Sequence, residues 1–404
     1  MIDGVALLRD LVRLVECESP SGDLDALAAG ADLVAELGQR RLGRPPESVT
    51  VEGRRHLRWR LGSGGGDVLV LTHYDTVWPL GSLADHPCRI SPSERGEALT
   101  GPGCFDMKAG LAMAWQALAA LAPAPGRGVT LLATADEEIG SPSSRQLIEA
   151  EAARARAVLV LESPAAGGAL KTARKGVSLY QVEISGRAAH AGLEPERGVN
   201  ATVELAHLVL ALAALADPER GTSVTPTWAS SGSSTNTVPA RASLAVDVRA
   251  WTMAEQDRVD QALTRLAPVL PGARLEVRGG HNRPPFEADR SAELFELARR
   301  LGRAFGLELA SAAVGGASDG NFTAGLGVPT LDGLGAEGGG AHADHEHVWV
   351  DSLEPRTALL KALLDHLLAD AGPPGPAPAA GGVSPGAGPG ADRRPGPSPV
   401  WSPA

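Results

Sequence analysis

Three short apolar runs in the N-terminal half of the chain share one arrangement, because each ends in acidic or histidine side chains. The runs are DVLVLTHYD (67–75), VTLLATADEE (129–138) and AVLVLE (157–162). Continuous Val- and Leu-rich runs of this length predict strands that are buried on both faces of a parallel sheet. The carboxyl ends of parallel strands meet at one edge of a sheet, so we expect the terminal side chains to converge there.

Helical patterns alternate with these runs, for example from Met107 to Leu121, and this alternation predicts an α/β fold with a mostly parallel sheet flanked by helices. From Val177 the pattern changes to period-two strands around a helical stretch at 201–215. We therefore predict a discontinuous catalytic domain with an inserted α+β domain. The boundaries are 1–176 and 286–371 for the catalytic domain and 177–285 for the insertion.

The two ends of the chain carry no targeting or membrane signal in their pattern. Residues 1–23 read as an amphipathic helix in which Asp10 and Arg13 interrupt the apolar positions, which is not the pattern of a signal peptide. No stretch of about twenty apolar residues could span a bilayer. Residues 372–404 are dominated by Pro and Gly and predict a disordered tail. We expect a cytoplasmic protein with no membrane contact, and secretion without a leader stays open.

Composition excludes some partners but does not choose a function. The formal charge of -11, without a cluster of Lys and Arg, argues against nucleic acid as a partner. The three cysteines are an odd number without CxxC spacing, so they indicate neither a disulfide framework nor a cysteine-based zinc site.

The candidate ligands form a set that suits a pair of divalent cations. A single zinc seldom takes more than four ligands, and calcium sites rarely use imidazole. Five donors of mixed type around one crevice therefore predict two transition-metal ions, by default zinc, with cobalt or manganese as alternatives. The donors come from the ends of the three runs and from two further motifs, namely His73 with Asp75, Glu137 or Glu138, Glu162, Asp106 and His342.

Each of these residues also has a simpler interpretation. A strand-end turn accounts for His73 and Asp75, although Asp75 placed two residues on can hold the second ring nitrogen of His73. Asp106 at the first turn of a helix would be an ordinary N-cap, and Lys108 reads as solvated or paired with a carboxylate. Adjacent Glu137 and Glu138 suit a helix start, or else one acid binds metal while the other acts as a general base.

Seven motifs taken in order resemble one family, the aminoacylase and glutamate carboxypeptidase family of di-zinc metallopeptidases. The resemblance extends from the N-terminal helix to about residue 370, and HYDTVWPLG is most similar to the glutamate carboxypeptidase branch. The motifs are HYDTVWPLG (73–81), GPGCFDMKAG (101–110), DEEIGS (136–141), LESP (161–164), SGRAAHAGLEPERGVNA (185–201), STNTVPARASLAVDVRA (234–250) and GGAHADHEHV (339–348).

This resemblance implies a role for each candidate. His73, Glu138, Glu162 and His342 would hold the two metals, with Asp106 as the bridge. Asp75 would orient His73, and Glu137 would be the general base. The inserted domain would be a lid that also forms a homodimer, so that His190 stabilises the oxyanion in the partner's site. Substrate contacts would come from Asn236, Arg249, the glycine-rich loop GGASDG (315–320) and, as a weaker candidate, Arg283.

The resemblance leaves the substrate and two positions open. His345 lies in the same motif as His342 and competes with it as a ligand. A lysine found near LESP in glutamate carboxypeptidase aligns with Lys171 or Lys175 only after a shift. The predicted reaction is release of a C-terminal amino acid such as glutamate from a small peptide. The alternatives are an N-acyl-amino-acid deacylase, a di- or tripeptidase, and a catalytically silent scaffold.

Overall fold

The computed structural model describes residues 2–62, 67–121 and 126–369. Within them the chain divides into two compact units. The larger unit comprises the chain up to Arg174 and from Phe286 onward, and the inserted unit comprises residues 175–285. Arg174 and Phe286 donate backbone N–H groups to each other's carbonyl oxygens at 2.9 and 3.0 Å. The chain therefore leaves the larger unit and returns to it at one hydrogen-bonded pair of residues. The predicted tail lies outside the described residues.

In its described residues, the first part of the larger unit contains four α-helices and eight strands. In chain order they are α1 (Gly4–Glu16), α2 (Leu24–Leu42), β1 (Glu47–Val51), β2 (Arg54–Gly62), β3 (Val68–His73), β4 (Arg89–Ser93), β5 (Gly96–Thr100), α3 (Ala109–Ala119), β6 (Gly128–Thr134), α4 (Arg145–Ala152), β7 (Ala157–Val160) and β8 (Leu170–Arg174).

The inserted unit contributes six strands and two helices to the described chain. They are β9 (Gly176–Ser185), β10 (Ala189–His190), α5 (Ala201–Ala213), β11 (Ser223–Ser231), β12 (Thr237–Val238), β13 (Arg241–Ala250), α6 (Met253–Thr264) and β14 (Arg274–Arg283). The chain then completes the larger unit with α7 (Ala292–Gly302), β15 (Ser311–Val314), α8 (Gly320–Gly325), β16 (Thr330–Leu331), β17 (Gly338–Gly339), β18 (His347–Trp349) and α9 (Val350–Ala369).

The centre of the larger unit is a six-stranded sheet in the order β1-β2-β6-β3-β7-β16. The pairings β6/β3, β3/β7 and β7/β16 are parallel, and the two at the β1 edge are antiparallel. Every residue of β3, β6 and β7 is buried. In β3, Val68 and Val70 pack into the core with α1–α3 and α9, whereas Leu69 and Leu71 face α4 and α8. Helices therefore cover both faces, as the continuous apolar runs predict.

The inserted unit is an antiparallel sheet in the order β11-β13-β9-β14, packed against α5 and α6. Alternate residues of β9, namely Tyr180, Val182 and Ile184, contact the apolar side of α5. A separate short pair, β10 with β12, aligns His190 with Thr237.

The predicted fold class is confirmed: the protein is a mixed α/β structure with a mostly parallel central sheet. The predicted helix at 201–215 is α5, and the one predicted from Met107 begins two residues later, at Ala109. No helix in the described ranges is long and apolar enough to cross a membrane.

Candidate metal centre

Three neighbouring parallel strands place their carboxyl ends side by side at one edge of the central sheet. β3 ends at His73, which pairs with Thr134 at the end of β6. Beyond β6 the chain forms a short helical turn, Glu137–Ile139, and beyond β7 it continues directly to Glu162. The strand ends therefore carry their acidic and histidine side chains to one place, as predicted.

His73 is 1% exposed, and both of its ring nitrogens face oxygen atoms. Its Nε2 lies 3.3 Å from Oδ1 of Asp106 and 3.4 Å from Oε1 of Glu162. Its Nδ1 lies 3.0 Å from the carbonyl oxygen of Asp75 and 3.4 Å from Oδ1 of the same residue. Asp75 thus faces the second nitrogen mainly through its main chain rather than through its carboxylate.

His342 approaches the same cluster from a loop near the end of the larger unit. Its Nε2 lies 3.2 Å from Oε2 of Glu138 and 3.5 Å from Oδ2 of Asp106. The residue has a φ of 62°, an uncommon left-handed conformation for a side chain of this size. His345, the competing candidate, is exposed and lies 3.7 Å from Asp344, so the structure brings His342 and not His345 to the cluster.

The carboxylate of Asp75 has a task that the sequence did not reveal. It accepts hydrogen bonds from the backbone N–H groups of Glu137 and Glu138, both at 3.2 Å, and from the hydroxyl of Ser21 at 2.7 Å. Three buried donors on one carboxylate fix the turn that carries the two glutamates. One ligand-capable atom from each of Glu137, His73 and Glu162 lies within 4.8 Å of the other two.

The electrostatics of the cluster favour cations. Burial alone would lower the pKa of His73, but Asp106, Asp75 and Glu162 hold it well above its ordinary value. Asp106 and Glu138 raise the pKa of His342 to about 10. Burial raises the pKa of Glu138 to about 7, and the nearby Asp106 adds to that shift. Without cations, the cluster therefore retains protons that free side chains would release near neutral pH.

The donor set fits two divalent cations that share one carboxylate. Asp106 lies between the two imidazoles, and each imidazole also faces a second carboxylate, Glu162 beside His73 and Glu138 beside His342. The Oε1 atom of Glu138 is buried without a hydrogen-bond partner among the described residues, which is costly unless something binds it. Imidazole nitrogen with carboxylate oxygen is a donor set for zinc, and also for cobalt or manganese.

Two predictions about the loop before α3 are wrong. Asp106 is not in the first turn of the helix but in a separate turn, Cys104–Lys108, with φ −120° and ψ 95°. Lys108 is neither solvated nor paired with a carboxylate. It is 2% exposed, and its Nζ donates to the carbonyl oxygens of Cys17 at 2.9 Å and Pro102 at 3.5 Å. Burial lowers the pKa of Lys108 to about 8.

The remaining candidates belong to the inserted unit. His190 is exposed, and its Nδ1 accepts the N–H groups of Gly192 and Leu193 at 3.1 Å, which leaves Nε2 as the donor. The carbonyl oxygen of Asn236 accepts the N–H of Ala191 at 2.8 Å, so Asn236 lies next to the His190 strand. Arg249 forms a bidentate pair with Asp247. The side chain of Arg283 is buried, with a relative exposure of 7%.

Lys171 lies next to the cluster, although the family resemblance did not decide between Lys171 and Lys175. Its Nζ donates to the hydroxyl of Ser163, the residue directly after Glu162, at 3.3 Å. Burial lowers the pKa of Lys171, and Arg174 lowers it further, while Glu162 opposes the shift. The other lysine, Lys175, donates instead to the carbonyl oxygen of Gly221 in the inserted unit.

The loop GGASDG (315–320) is held by buried polar contacts within the larger unit. Arg174 pairs with Asp332 and donates to the carbonyl oxygen of Gly316 at 3.1 Å. Ser318 donates to Asp332 at 2.6 Å, and Asp319 accepts the hydroxyl of Ser141, beside the Glu137 turn. Gly315 and Gly316 themselves are exposed.

Comparison with known proteins agrees with this geometry. The sequence profile of Peptidase family M20/M25/M40 matches residues 69–366. Carboxypeptidase G2 of Pseudomonas sp. (strain RS-16) is 34% identical over 376 residues, covering 89% of this chain and 88% of that protein. Succinyl-diaminopimelate desuccinylase of Azoarcus sp. (strain BH72) is 26% identical over 81% of this chain and 90% of its own. The crystal structure of a tripeptidase from Staphylococcus aureus superposes with a TM-score of 0.71 at 21% identity, covering 92% of this chain and 100% of that one.

Proposed function

The chain belongs to Peptidase family M20/M25/M40 and is a metallopeptidase-type hydrolase, and from that premise we propose that it releases a C-terminal amino acid such as glutamate from an amide. The similarity to Carboxypeptidase G2 over most of both chains favours a carboxypeptidase. We place this activity in the cytoplasm, as the sequence pattern predicts, and assign it to a homodimer, as the family resemblance implies.

The observation that supports this proposal most directly is the position of Asp106 between His73 and His342. In the proposed centre, His73 and Glu162 would hold one zinc ion, Glu138 and His342 would hold the other, and Asp106 would contribute to both. When bound, the two ions lower the pKa of a water molecule and polarise the substrate carbonyl. Cobalt and manganese are accepted by the same donors.

Glu137 is the proposed general base. It lies beside His73 and Glu162, on a turn that the Asp75 carboxylate fixes through two backbone N–H groups. Its carboxylate takes a proton from the attacking water and afterwards delivers it to the leaving amine. Because the Asp75 carboxylate holds the backbone of this turn, the Glu137 carboxylate keeps its position when it gains or loses a proton.

His190 is the proposed oxyanion donor. The two N–H groups that point at its Nδ1 fix the tautomer in which Nε2 carries the proton. A preset N–H donor stabilises negative charge that develops on the carbonyl oxygen. Following the family resemblance, we assign His190 to the site of the partner subunit, with Asn236 and Arg249 contacting the substrate and Arg283 as the weaker candidate.

Lys171 is the proposed anchor for a substrate carboxylate. Its ammonium group is partly buried next to Ser163 and adjoins a metal-ligand candidate, Glu162. A charged group in a partly dehydrated site binds an anion more strongly than one in water. The exposed glycines at 315 and 316 offer further backbone N–H donors for the same purpose.

A deacylase is the second candidate, because desuccinylases are among the relatives at about a quarter identity. Deacylation of an N-acyl amino acid uses the same donor set and the same Glu137 and likewise releases an amino acid, and it differs in the acyl group, a short acyl chain in place of an aromatic or peptidyl group. A di- or tripeptidase stays within the same chemistry.

A substrate panel tests the proposal. Metal-free protein, with and without added zinc, is assayed on benzoyl-glutamate, benzoyl-alanine, dipeptides and N-acetyl amino acids. We expect zinc-dependent release of glutamate, and in K171M a loss of kcat/KM on benzoyl-glutamate of about tenfold or more, as for a lost charged hydrogen bond. K361M, which removes a lysine paired with Asp365 on α9, is the matched control and should act like wild type. Faster zinc-dependent cleavage of N-acetyl amino acids would favour the deacylase, and no hydrolysis with any metal would overturn the proposal.

A further inference from the structure

Glu346 has a fully buried carboxylate that no step of the proposed reaction uses. It is 0% exposed and accepts four hydrogen bonds. Its Oε1 accepts the backbone N–H groups of Phe105 at 2.9 Å and Asp106 at 3.0 Å. Its Oε2 accepts the N–H of Gly103 at 2.9 Å and the indole N–H of Trp78 at 2.7 Å.

This contact set fills the carboxylate. Two carboxylate oxygens offer about four lone-pair positions, and all of them are used here. Three of the four donors belong to the turn that carries Asp106, and one of those donors is the N–H of Asp106 itself. The negative charge therefore holds a concave row of backbone N–H groups, which alone would be costly to bury.

Glu346 also connects two parts of the cluster that are far apart in sequence. It follows His342 by four residues in the same loop, whereas the turn it holds lies about 240 positions earlier. His342 and Asp106 must keep their spacing if one carboxylate is to serve both imidazoles. A single side chain bonded to the Asp106 turn from the His342 loop sets that spacing.

We propose that Glu346 is a positioning residue for the metal centre, which holds the Asp106 carboxylate between His73 and His342 so that two cations bind at once. This inference rests on the proposed function. The first cation can use the donors of one imidazole and its own carboxylate, but the second requires Asp106 in its shared position. Loss of the Glu346 charge should therefore weaken the second binding event most.

The test is calorimetric titration of zinc into metal-free E346Q and wild-type protein. A carboxamide has the same shape, but its NH2 group donates and so opposes two of the four donors. We expect the second equivalent of zinc to bind about 10- to 100-fold more weakly, the range found when a residue supporting a ligand is changed. The rise in Tm on adding zinc should shrink as well, whereas a purely structural defect would lower Tm equally with and without zinc.

Glu204 provides a matched control in the inserted unit. It is 0% exposed, and its two oxygens accept the backbone N–H groups of Val269 at 2.9 Å and Leu270 at 2.7 Å. E204Q should lower Tm while its zinc isotherm matches wild type. If E346Q does not fold, W78F decides the question, because it removes the indole donor while it keeps an aromatic ring against His86, and it should still weaken the second equivalent several-fold.

The outcomes separate this inference from the proposed function. Wild-type protein that binds fewer than two zinc ions would overturn the two-cation centre itself. Wild-type protein that binds two, together with an unchanged second affinity in E346Q, or in W78F where E346Q does not fold, would overturn only the role of Glu346.

Discussion

His73 shows how one buried side chain can be prepared for a metal by its neighbours. The carbonyl oxygen of Asp75 can only accept a hydrogen bond, so Nδ1 facing it at 3.0 Å carries a proton. Without a cation, Asp106 and Glu162 hold the pKa of His73 high, so Nε2 is protonated as well. A cation that displaces this second proton would bind the Nε2 lone pair of the neutral ring. Sequence placed Asp75 in this role, but only the structure shows that its main chain does most of the work and frees the carboxylate for the glutamate turn.

The two adjacent glutamates should give opposite defects when each is changed to glutamine. E137Q removes the proposed base and should abolish turnover while zinc content stays at the wild-type level. E138Q removes a carboxylate ligand whose Oε1 has no hydrogen-bond partner in the described part of the chain, so zinc affinity should fall and turnover should recover partly at high zinc. Zinc analysis and hydrolysis of benzoyl-glutamate measure both, and an active E137Q would contradict the assignment.

The contribution of His342 and Glu138 to the stability of metal-free protein should fall as the pH rises. The folded-state pKa of His342 is about 10 against 6.5 unfolded, and that of Glu138 is about 7 against 4.5. Both are raised, so their stabilisation is complete below the unfolded values and is lost as the pH rises through the folded ones. Zinc replaces these protons, so its stabilising effect should grow over the same range.

Thermal unfolding with and without zinc, from about pH 5 to about pH 9, measures this difference. The gap in Tm should widen with pH in wild type and much less in H342Q. H345Q changes an exposed histidine of the same motif and is the control that should behave like wild type. A gap that narrows with rising pH would contradict the electrostatic account.

Ligand residues were easier to predict from sequence than the residues that hold them. Acids and histidines at strand ends stand out in an apolar pattern, and five of them meet in the structure. Glu346 and the carboxylate of Asp75 instead accept hydrogen bonds from backbone N–H groups. Every residue except proline has such a group, so the amino-acid sequence does not reveal those partners. Lys171 could not be assigned to the site from sequence, because only the three-dimensional position of Ser163 shows that it lies there.

At the scale of elements, α3 must pack closely on the end of β7. A Cβ added to Gly110 would lie 2.1 Å from the carbonyl oxygen of Leu161, the residue before Glu162. The helix therefore approaches the strand end at a position that only glycine permits. Close packing here fixes the direction in which the chain leaves β7 and so the position of Glu162.

G110A should destabilise the larger unit and disturb the cluster. Forcing a methyl group against backbone costs about 1–3 kcal/mol in well-packed cores, and here the displaced segment carries Glu162. Urea unfolding should give a lower midpoint, and zinc titration should give a weaker affinity. G22A is the control, because nothing lies within 4 Å of the added Cβ. Equal midpoints for the two variants would contradict the close-packing argument.

The three buried strands and α5 were predicted because apolar periodicity is read directly from sequence. The start of α3 was misjudged for a physical reason. Met107 and Lys108 are good helix formers, but Glu346 accepts the N–H groups of Phe105 and Asp106 just before them, and Asp106 and Met107 have non-helical φ and ψ. Contacts from distant residues override local preference at such places.

At the scale of the whole molecule, the proposed site requires two copies of the chain. An isologous dimer gives each site the same contribution from its partner. If His190 acts in the partner's site, the E137Q and H190Q defects fall together in the same site of a mixed dimer. One site of that dimer then has an intact Glu137 and an intact His190.

Mixing inactive E137Q and H190Q proteins should therefore restore activity. With free exchange of subunits, half of the dimers are mixed and each has one intact site, so the yield approaches about a quarter of wild type. Mixing E137Q with E138Q is the control, because both changes fall in residues of the same chain's cluster. No recovery with H190Q under conditions of proven exchange would place His190 outside the partner's site.

The most direct measurement of the central claim is a titration of zinc into metal-free protein with hydrolysis followed at each addition. Bound zinc is counted on the same samples by elemental analysis. The account predicts no turnover without metal and a rate that rises until about two ions are bound per chain, since two cations share the cluster. Full activity in excess chelator, or a rate that reaches its maximum with no zinc bound, would contradict it.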